Sequence, residues 1–518
     1  MTPRSDRRDL TEGMLFTDEY QLTMAQVYWR RGMHERRCQF DYFFRKYPDY
    51  GEHQAGYCVF AGLGWLLDWM TETRFTAADI EALASQRSPG GRPRFDPAFL
   101  EWLAADGHFG EITIRSVPEG RVVHAHAPVA VIEGPLAMTQ ILETSLLNHL
   151  NYATLIATKA SRVADNGRGR PVLEFGLRRG PSTGANAGVR AALIGGADFT
   201  SDVGISHVMG LDPKGTHAHS MVQAFMATGE GELAAFRAYA EVYPDECTLL
   251  VDTIDSLDSG IPNAITVFGE LREKGHTPFG IRLDSGDLAY LAIRAAQQLN
   301  DAGFDDVAIV LSSNLDELAL WQILSQIEAE APRYGLDPDA LIGRLVYGVG
   351  TRLITSHGCS ALGGVYKLVA LEHEGGWRPA MKLSETPEKM PIPGRKRVWR
   401  LYDQRGLATA DVVMAEDEEP DLGADIHINH PFRAAVGRTL TTGSVSAAEP
   451  LLEDVLVSGT RCNGQPGLDD MRSRRVADLE RLDPGVRRLV NPHRYHVSLS
   501  DRVRSLQLEL IAQARNGG

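Results

Sequence analysis

The heptapeptide KGTHAHS (214–220) sets His217 and His219 one residue apart in a frame of glycine, threonine and serine. The tripeptide HAH also occurs at 124–126, inside RVVHAHAPVAVIEG. Residues i and i+2 of a strand share a face, so either pair could present two imidazoles together, as a metal-dependent hydrolase would need. In a loop or at a helix start, one imidazole could instead act as a nucleophile or phosphoryl acceptor, with its other nitrogen held by a carboxylate. A metal site needs further ligands at other strand ends. His276 precedes a strand-like run and His357 falls well after one, and no HxxxH pair or Cys/His cluster accompanies them, which disfavours zinc.

Other chemistry-bearing residues follow short apolar runs. Arg178 and Arg179 come after PVLEF (171–175), Asp255 and Asp258 after TLLVDT (248–253), and Asn314 and Asp316 after VAIVLSS (307–313). Arg282, Asp284 and Asp287 lie in FGIRLDSGD (279–287). Gly348 and Gly350 with Thr351, and Gly363 with Gly364, make two glycine-rich turns that could offer backbone N–H groups to a phosphate or merely turn tightly. Neither is a Walker A motif, and no GxGxxG opens a helix. Arg178, Arg179, Arg282, Lys367, Lys382, Arg395 and Lys396, grouped near these ends, suggest an anionic substrate. Asp287 reads as a helix cap. Asp284, nearer the strand end, reads as a ligand for sugar hydroxyls or Mg2+.

These residues must be positioned by an α/β scaffold. In 279–313 a strand, the helix LAYLAIRAAQQLNDAG and a second strand form a βαβ unit, which implies a parallel sheet with helices outside. Several such units from about 171 to 351 favour a barrel-like core with its chemistry at the C-terminal ends of the strands. The first 135 or so residues read as α+β: a helix in 14–35 after a Thr17/Asp18 cap, a strand in 38–48, and two strand-like runs within 111–134. A helical stretch follows at 136–166. From about 400 the chain is rich in charge and loops, with helical patterns at 467–482 and 500–515, and AEDEEPD reads as a solvated loop. Three segments are expected: 1–140, 141–400 and 401–518.

With 518 residues, the chain is too long for one ordinary core. Its composition, 43% hydrophobic and 23% charged, is that of a globular protein. A net charge of −15 gives no basic field for nucleic acid or an anionic membrane, so an anionic substrate needs a locally basic pocket. Five scattered cysteines without CxxC suit a reducing cytosol. The polar N-terminus lacks a signal-peptide core, and no run of ~18 apolar residues is present, so a cytoplasmic protein without membrane spans is expected.

Ordered motifs along nearly the whole chain resemble the nicotinate phosphoribosyltransferases. They are TDEYQLTMAQVYW (17–29), FDYFFRKYP (40–48), EFGLRRG (174–180), IGGADFTSDV (194–203), KGTHAHS (214–220), LLVDTIDS (249–256), IRLDSGDLA (281–289), SSNLDE (312–317), GVGTRLITS (348–356), ALGGVYKL (361–368), MKLSETPEKMPIPGRK (381–396) and NPHRYHVSLS (491–500). The resemblance implies a fold similar to the type II phosphoribosyltransferases: an incomplete parallel α/β barrel plus an α/β sandwich domain built largely from the N-terminal region. It also implies a homodimer with active sites at the subunit interface. The implied reaction converts nicotinate and 5-phosphoribosyl 1-diphosphate to nicotinate mononucleotide and diphosphate. ATP hydrolysis is coupled through phosphohistidine, Mg2+ is required, and the product enters NAD salvage, in the ligase class.

Carried over by motif, His219 is the phosphorylated histidine. Thr216, Tyr20, Arg282 and Phe175 are nicotinate contacts, with Arg178 beside them in the same motif as Phe175. Asp284 is placed on ribose hydroxyls, Thr351 with Gly348 and Gly350 on phosphoribosyl diphosphate, Gly363 and Gly364 on the 5′-phosphate, and Arg45 on a neighbouring subunit's diphosphate. Asp255 is the candidate carboxylate for His219, and no metal is expected to be fixed by protein ligands alone. The chain departs from the family pattern at Asp202, where TSN is usual at 200–202, and at LDSG (257–260). The alternatives are the same chemistry on nicotinamide or quinolinate, a metal-dependent hydrolase using the HAH pair, and a non-enzymatic scaffold.

Overall fold

A computed structural model of the chain describes residues 8–433, 435–462, 464 and 466–516. The chain gathers into two compact units, one formed by 1–155 with 361–518 and the other by 156–360.

The second unit carries the parallel sheet. Its strands are Val172–Glu174, Phe199–Thr200, Thr248–Leu250, Gly280–Leu283, Ala308–Ser312 and Leu345–Val349. The first two pair with each other; Val172–Glu174 also pairs with Leu345–Val349, and the series continues through Ala308–Ser312 and Gly280–Leu283 to Thr248–Leu250. Every pairing is parallel. This is barrel order with one break, between Phe199–Thr200 and Thr248–Leu250, so the incomplete α/β barrel is as expected. Leu249, Ile281, Leu283, Ile309, Leu311, Leu345 and Val349 are fully buried, which is why these strands read as unbroken apolar runs rather than alternating ones. Helix Leu288–Asp301 buries Leu288, Ala289, Ala292, Ile293, Ala296 and Leu299, and Asp287 caps it by accepting from the Tyr290 N–H at 3.1 Å.

The first unit contains a seven-stranded sheet in the order Gly376–Pro379, Gly364–His373, Arg37–Phe44, Ala130–Pro135, Thr113–Ser116, Glu453–Val457, Thr460–Arg461. A six-stranded sheet includes Lys396–Asp403, Ala408–Ala415 and Val497–Leu499. The segment boundaries expected at 140 and 400 therefore shift. Residues 361–400 leave the barrel because Gly364–His373 pairs antiparallel with Arg37–Phe44, returning the chain to the sheet it started from. The region after 400, read as loops and helices, holds strands packed around Leu401, Val412, Met414 and Ile428 as well as the expected helices Leu468–Glu480 and Asp501–Asn516. Asp18 precedes helix Glu19–Arg30 but makes no side-chain cap; its Oδ2 accepts from Thr144 at 2.8 Å.

Among the described residues no disulfide joins any of the five cysteines, and no helix is long and apolar enough to cross a membrane.

Candidate active site at the barrel strand ends

Acidic residues after the barrel strands divide by task. Asp202, Asp255, Asp287 and Asp316 cap the helical segments that follow them. Asp255, expected to hold a nitrogen of His219, instead accepts from the N–H groups of Leu257 and Asp258 at 2.9 and 2.7 Å, a turn its own sequence specifies locally. The carboxylate beside His219 is Asp252. Its Oδ1 lies 3.8 Å from His219 Nε2, within ion-pair range but longer than a hydrogen bond. Ser285 donates to Asp252 Oδ2 at 2.5 Å and fixes that carboxylate from the neighbouring strand's loop.

His219 opens helix His219–Ala227 and leaves 38% of its side chain exposed, whereas that of Asp252 is 3% exposed. Nδ1 of His219 has no hydrogen-bond partner among the described residues. His217 points elsewhere. Its Nε2 accepts from the Leu250 N–H at 3.1 Å, and burial lowers its pKa to about 4. The two imidazoles of KGTHAHS therefore do not converge on a metal. His124 of the other HAH is fully buried, bonded to the Tyr47 hydroxyl at 2.9 Å and stacked 3.6 Å from Tyr495, a packing residue.

Arg282 is the hub of the site. Its Nε donates to Ser312 Oγ at 2.9 Å, one terminal nitrogen to Thr216 Oγ1 at 3.3 Å, and the other to Asp284 Oδ1 at 3.0 Å. Ser312 also donates to Asp284 Oδ1 at 2.6 Å. Three of the guanidinium's five N–H groups are thus engaged, one terminal N–H remains on each side of the fork, and Asp284 Oδ2 is left for another donor. The guanidinium carbon lies 5.4 Å from the centroid of the Phe175 ring. Gly348 makes room for that ring, since a Cβ there would stand 2.7 Å from its carbons. The result is an aromatic face beside a cationic fork, at the C-terminal ends of strands contributed by four separate segments of sequence.

Residues 15–151 match the model of the nicotinate phosphoribosyltransferase N-terminal domain, and residues 395–507 match that of the C-terminal domain. The nicotinate phosphoribosyltransferase of Bacillus subtilis is 36% identical over 97% of this chain and 96% of its own. The human enzyme of that name is 35% identical over 96% of each chain. A crystal structure of human nicotinic acid phosphoribosyltransferase matches with a TM-score of 0.78 at 31% identity, covering 96% of this chain and 99% of that one. The chain belongs to the nicotinate phosphoribosyltransferase family.

In this member of the nicotinate phosphoribosyltransferase family, the barrel unit brings together Phe175, Thr216, Arg282 and Asp284 of the expected residues, and sets His219 beside Asp252. Arg178 is exposed on the turn Leu177–Arg179, and Thr351 starts the one-turn helix Thr351–Ile354 after Gly348 and Gly350. Tyr20, Arg45, Gly363 and Gly364 belong to the other unit. There Tyr20 is half-exposed on helix Glu19–Arg30, and Arg45 donates to the Lys389 carbonyl at 3.1 Å. Gly364 is required by packing, because a Cβ would stand 1.9 Å from Asn151 Oδ1, whereas Gly363 is open around its Cα. Lys396, grouped with the substrate-attracting cations, is buried against Asp41 at 2.5 Å, and Arg395 pairs with Glu416 at 2.7 Å. Both are structural.

Asp252, Ser285, Ser312 and Glu174 are not singled out by sequence reasoning. Asp252 carries a usable signal, being the first carboxylate after the TLLV run. Glu174 is wholly buried and accepts from Thr200 Oγ1 at 2.8 Å and from the Gly176 N–H. Burial, reinforced by the charge of Asp202, raises its carboxyl from 4.5 to about 7 against those two hydrogen bonds. Because the folded pKa is the higher, this group's contribution is most favourable below about pH 4.5 and is lost as pH rises through 7, by roughly 3 kcal/mol. Thermal melts of the wild type are expected to fall between pH 5 and pH 8, with a shallower fall for Glu174→Gln. Parallel curves for the two proteins would assign the trend to other groups.

Proposed function

We propose that this protein is a nicotinate phosphoribosyltransferase that joins nicotinate to 5-phosphoribosyl 1-diphosphate, releasing nicotinate mononucleotide and diphosphate. We further propose that it couples this to ATP hydrolysis through a phosphohistidine at His219. The cytoplasm, a homodimer with interface sites and a place in NAD salvage belong to the same reading. The observation that carries it is the pairing of Arg282 with Phe175. A flat pyridine ring can lie on Phe175 while its carboxylate takes the two remaining terminal N–H groups of Arg282 as a bidentate pair.

In the transfer step, the pyridine nitrogen's lone pair forms a bond to the anomeric carbon of phosphoribosyl diphosphate. The bond from that carbon to the diphosphate oxygen breaks with its electron pair. Positive charge develops on the ribose, and the ring must be aimed along the line of displacement, which is the work of Phe175 and Arg282. Asp284 Oδ2 is available to a ribose hydroxyl while Oδ1 stays committed to Arg282 and Ser312. In the coupling step, a neutral imidazole nitrogen attacks the terminal phosphorus of ATP, the bond to ADP breaks, and Asp252 balances the charge of the phosphorylated ring. Hydrolysis of the P–N bond then restores His219.

Among the described residues no group of three or more His, Cys, Asp or Glu side chains could hold a metal. In this reading Mg2+ enters through the phosphates of the substrates, where it would neutralise the leaving group's charge.

The test is an acceptor comparison with Mg2+, ATP and phosphoribosyl diphosphate, following nucleotide product and ADP together. Nicotinate is expected to be consumed, with ADP formed alongside. Faster turnover of nicotinamide or quinolinate would replace the assignment of the acceptor.

A further inference from the structure

The break in the barrel order leaves two strand edges, Phe199–Thr200 and Thr248–Leu250, without a neighbouring strand between them among the described residues. Unpaired backbone groups at such edges need partners. Residues 214–217 supply them. The Lys214 N–H donates to the Thr200 carbonyl at 2.9 Å, and His217 Nε2 accepts from the Leu250 N–H at 3.1 Å. A backbone N–H thus meets one edge and a side chain the other, where a strand would otherwise stand.

The ring is built into place. His217 is 8% exposed, and its ring meets Tyr239 edge-on at 4.9 Å and Phe236 at 6.0 Å, both from helix Glu232–Val242. Nδ1 faces the Ala218 carbonyl at 3.5 Å, which leaves the Nε2 lone pair for Leu250. Burial lowers the pKa of the imidazole to about 4, so near neutral pH the ring is uncharged and the acceptor persists.

The connectivity gives this bond a consequence. Leu250 lies two residues before Asp252, and His217 two residues before His219. One hydrogen bond therefore ties the segment carrying the imidazole to the strand end carrying its carboxylate. We propose that His217 is a positioning residue whose Nε2 acceptor holds the barrel seam closed and sets the spacing of His219 from Asp252 for phosphorylation. This inference rests on the phosphohistidine reading above.

Two variants separate the acceptor from the ring. His217→Phe keeps a ring against Tyr239 and removes the acceptor; His217→Gln offers an amide oxygen at about the reach of Nε2. The readout is the rate at which terminally labelled ATP deposits alkali-stable, acid-labile phosphate on the protein, with ADP formed per nucleotide product measured alongside. The Phe variant is expected to label at least about tenfold more slowly, the size of effect one buried hydrogen bond carries, and the Gln variant to recover to within about threefold of wild type. A Phe variant that labels at the wild-type rate overturns the proposal, as does a Gln variant no better than Phe. If neither variant folds, nitrogen-15 NMR of histidine-labelled wild-type protein decides: an unprotonated Nε2 coupled to the Leu250 amide supports the bond, and a protonated Nε2 overturns it. Wild-type protein that takes no label refutes the phosphohistidine reading itself, and the NMR measurement still reports separately on the bond.

Discussion

Replacement of His219 by alanine is expected to abolish phosphate incorporation from ATP and to leave transfer at a slower, uncoupled rate. Among the described residues of the barrel unit no other imidazole is placed beside Asp252: the nearest in sequence, His217, has its Nε2 committed to Leu250 and sits in an apolar pocket against Tyr239. The loss of label should therefore be complete, while nucleotide formation without ATP persists. Asp252→Asn is the companion. It keeps the shape and the Ser285 contact but removes the charge facing Nε2, and labelling is expected to slow by roughly 100-fold, the low end of what a positioned acid–base group contributes. Acid-labile label and product measured together check both. Full ATP stimulation in His219→Ala would end the phosphohistidine assignment.

A second large effect is expected at Arg282. Lysine preserves the charge but not the fork, so it cannot hold Ser312, Thr216 and Asp284 while also gripping a carboxylate with two parallel bonds. For Arg282→Lys, kcat/KM with nicotinate is expected to drop by about 100-fold or more, since hydrogen bonds to charged groups are worth roughly 1.5–3 kcal/mol each. The loss should fall mainly on the nicotinate KM, with a smaller change in the KM for phosphoribosyl diphosphate, because the fork faces the ring-binding side next to Phe175. Equal losses for both substrates would mean that Arg282 supports the loop Asp284–Asp287 rather than the acceptor. Steady-state kinetics with each substrate varied in turn distinguishes these outcomes.

Much of this site is legible in the amino-acid sequence. The βαβ pattern of 279–313 follows from periodicity alone, and its strands and helix lie where expected. Placing chemistry at the strand ends leads to Arg282 and Asp284, as sheet geometry requires. The two-residue strand Phe199–Thr200 is invisible to pattern because a run that short has no period to read. The strands after residue 400 are hidden for a different reason. They are short and interrupted by charged turns, and one of them, Val497–Leu499, pairs with Asp411–Val413, about 86 residues earlier in sequence, so local pattern carries little of their stability.

The sequence by itself determined the family, through motifs whose residue types are tied to their chemistry: a forked cation, an aromatic ring, a histidine in a glycine–threonine frame. It also marked Asp287 as a helix cap, because a cap is a contact between residues two or three apart. Only the tertiary structure decided which carboxylate faces His219. Asp255 and Asp252 are the same residue type three positions apart; a local turn commits Asp255, but nothing local aims Asp252 at an imidazole. The turn after Leu250 spends Asp255 on its own backbone and turns Asp252 toward the seam, where a segment more than thirty residues earlier in the chain places the imidazole. Contacts between distant segments are set by how strands close into a barrel, and that closure is a property of the whole fold.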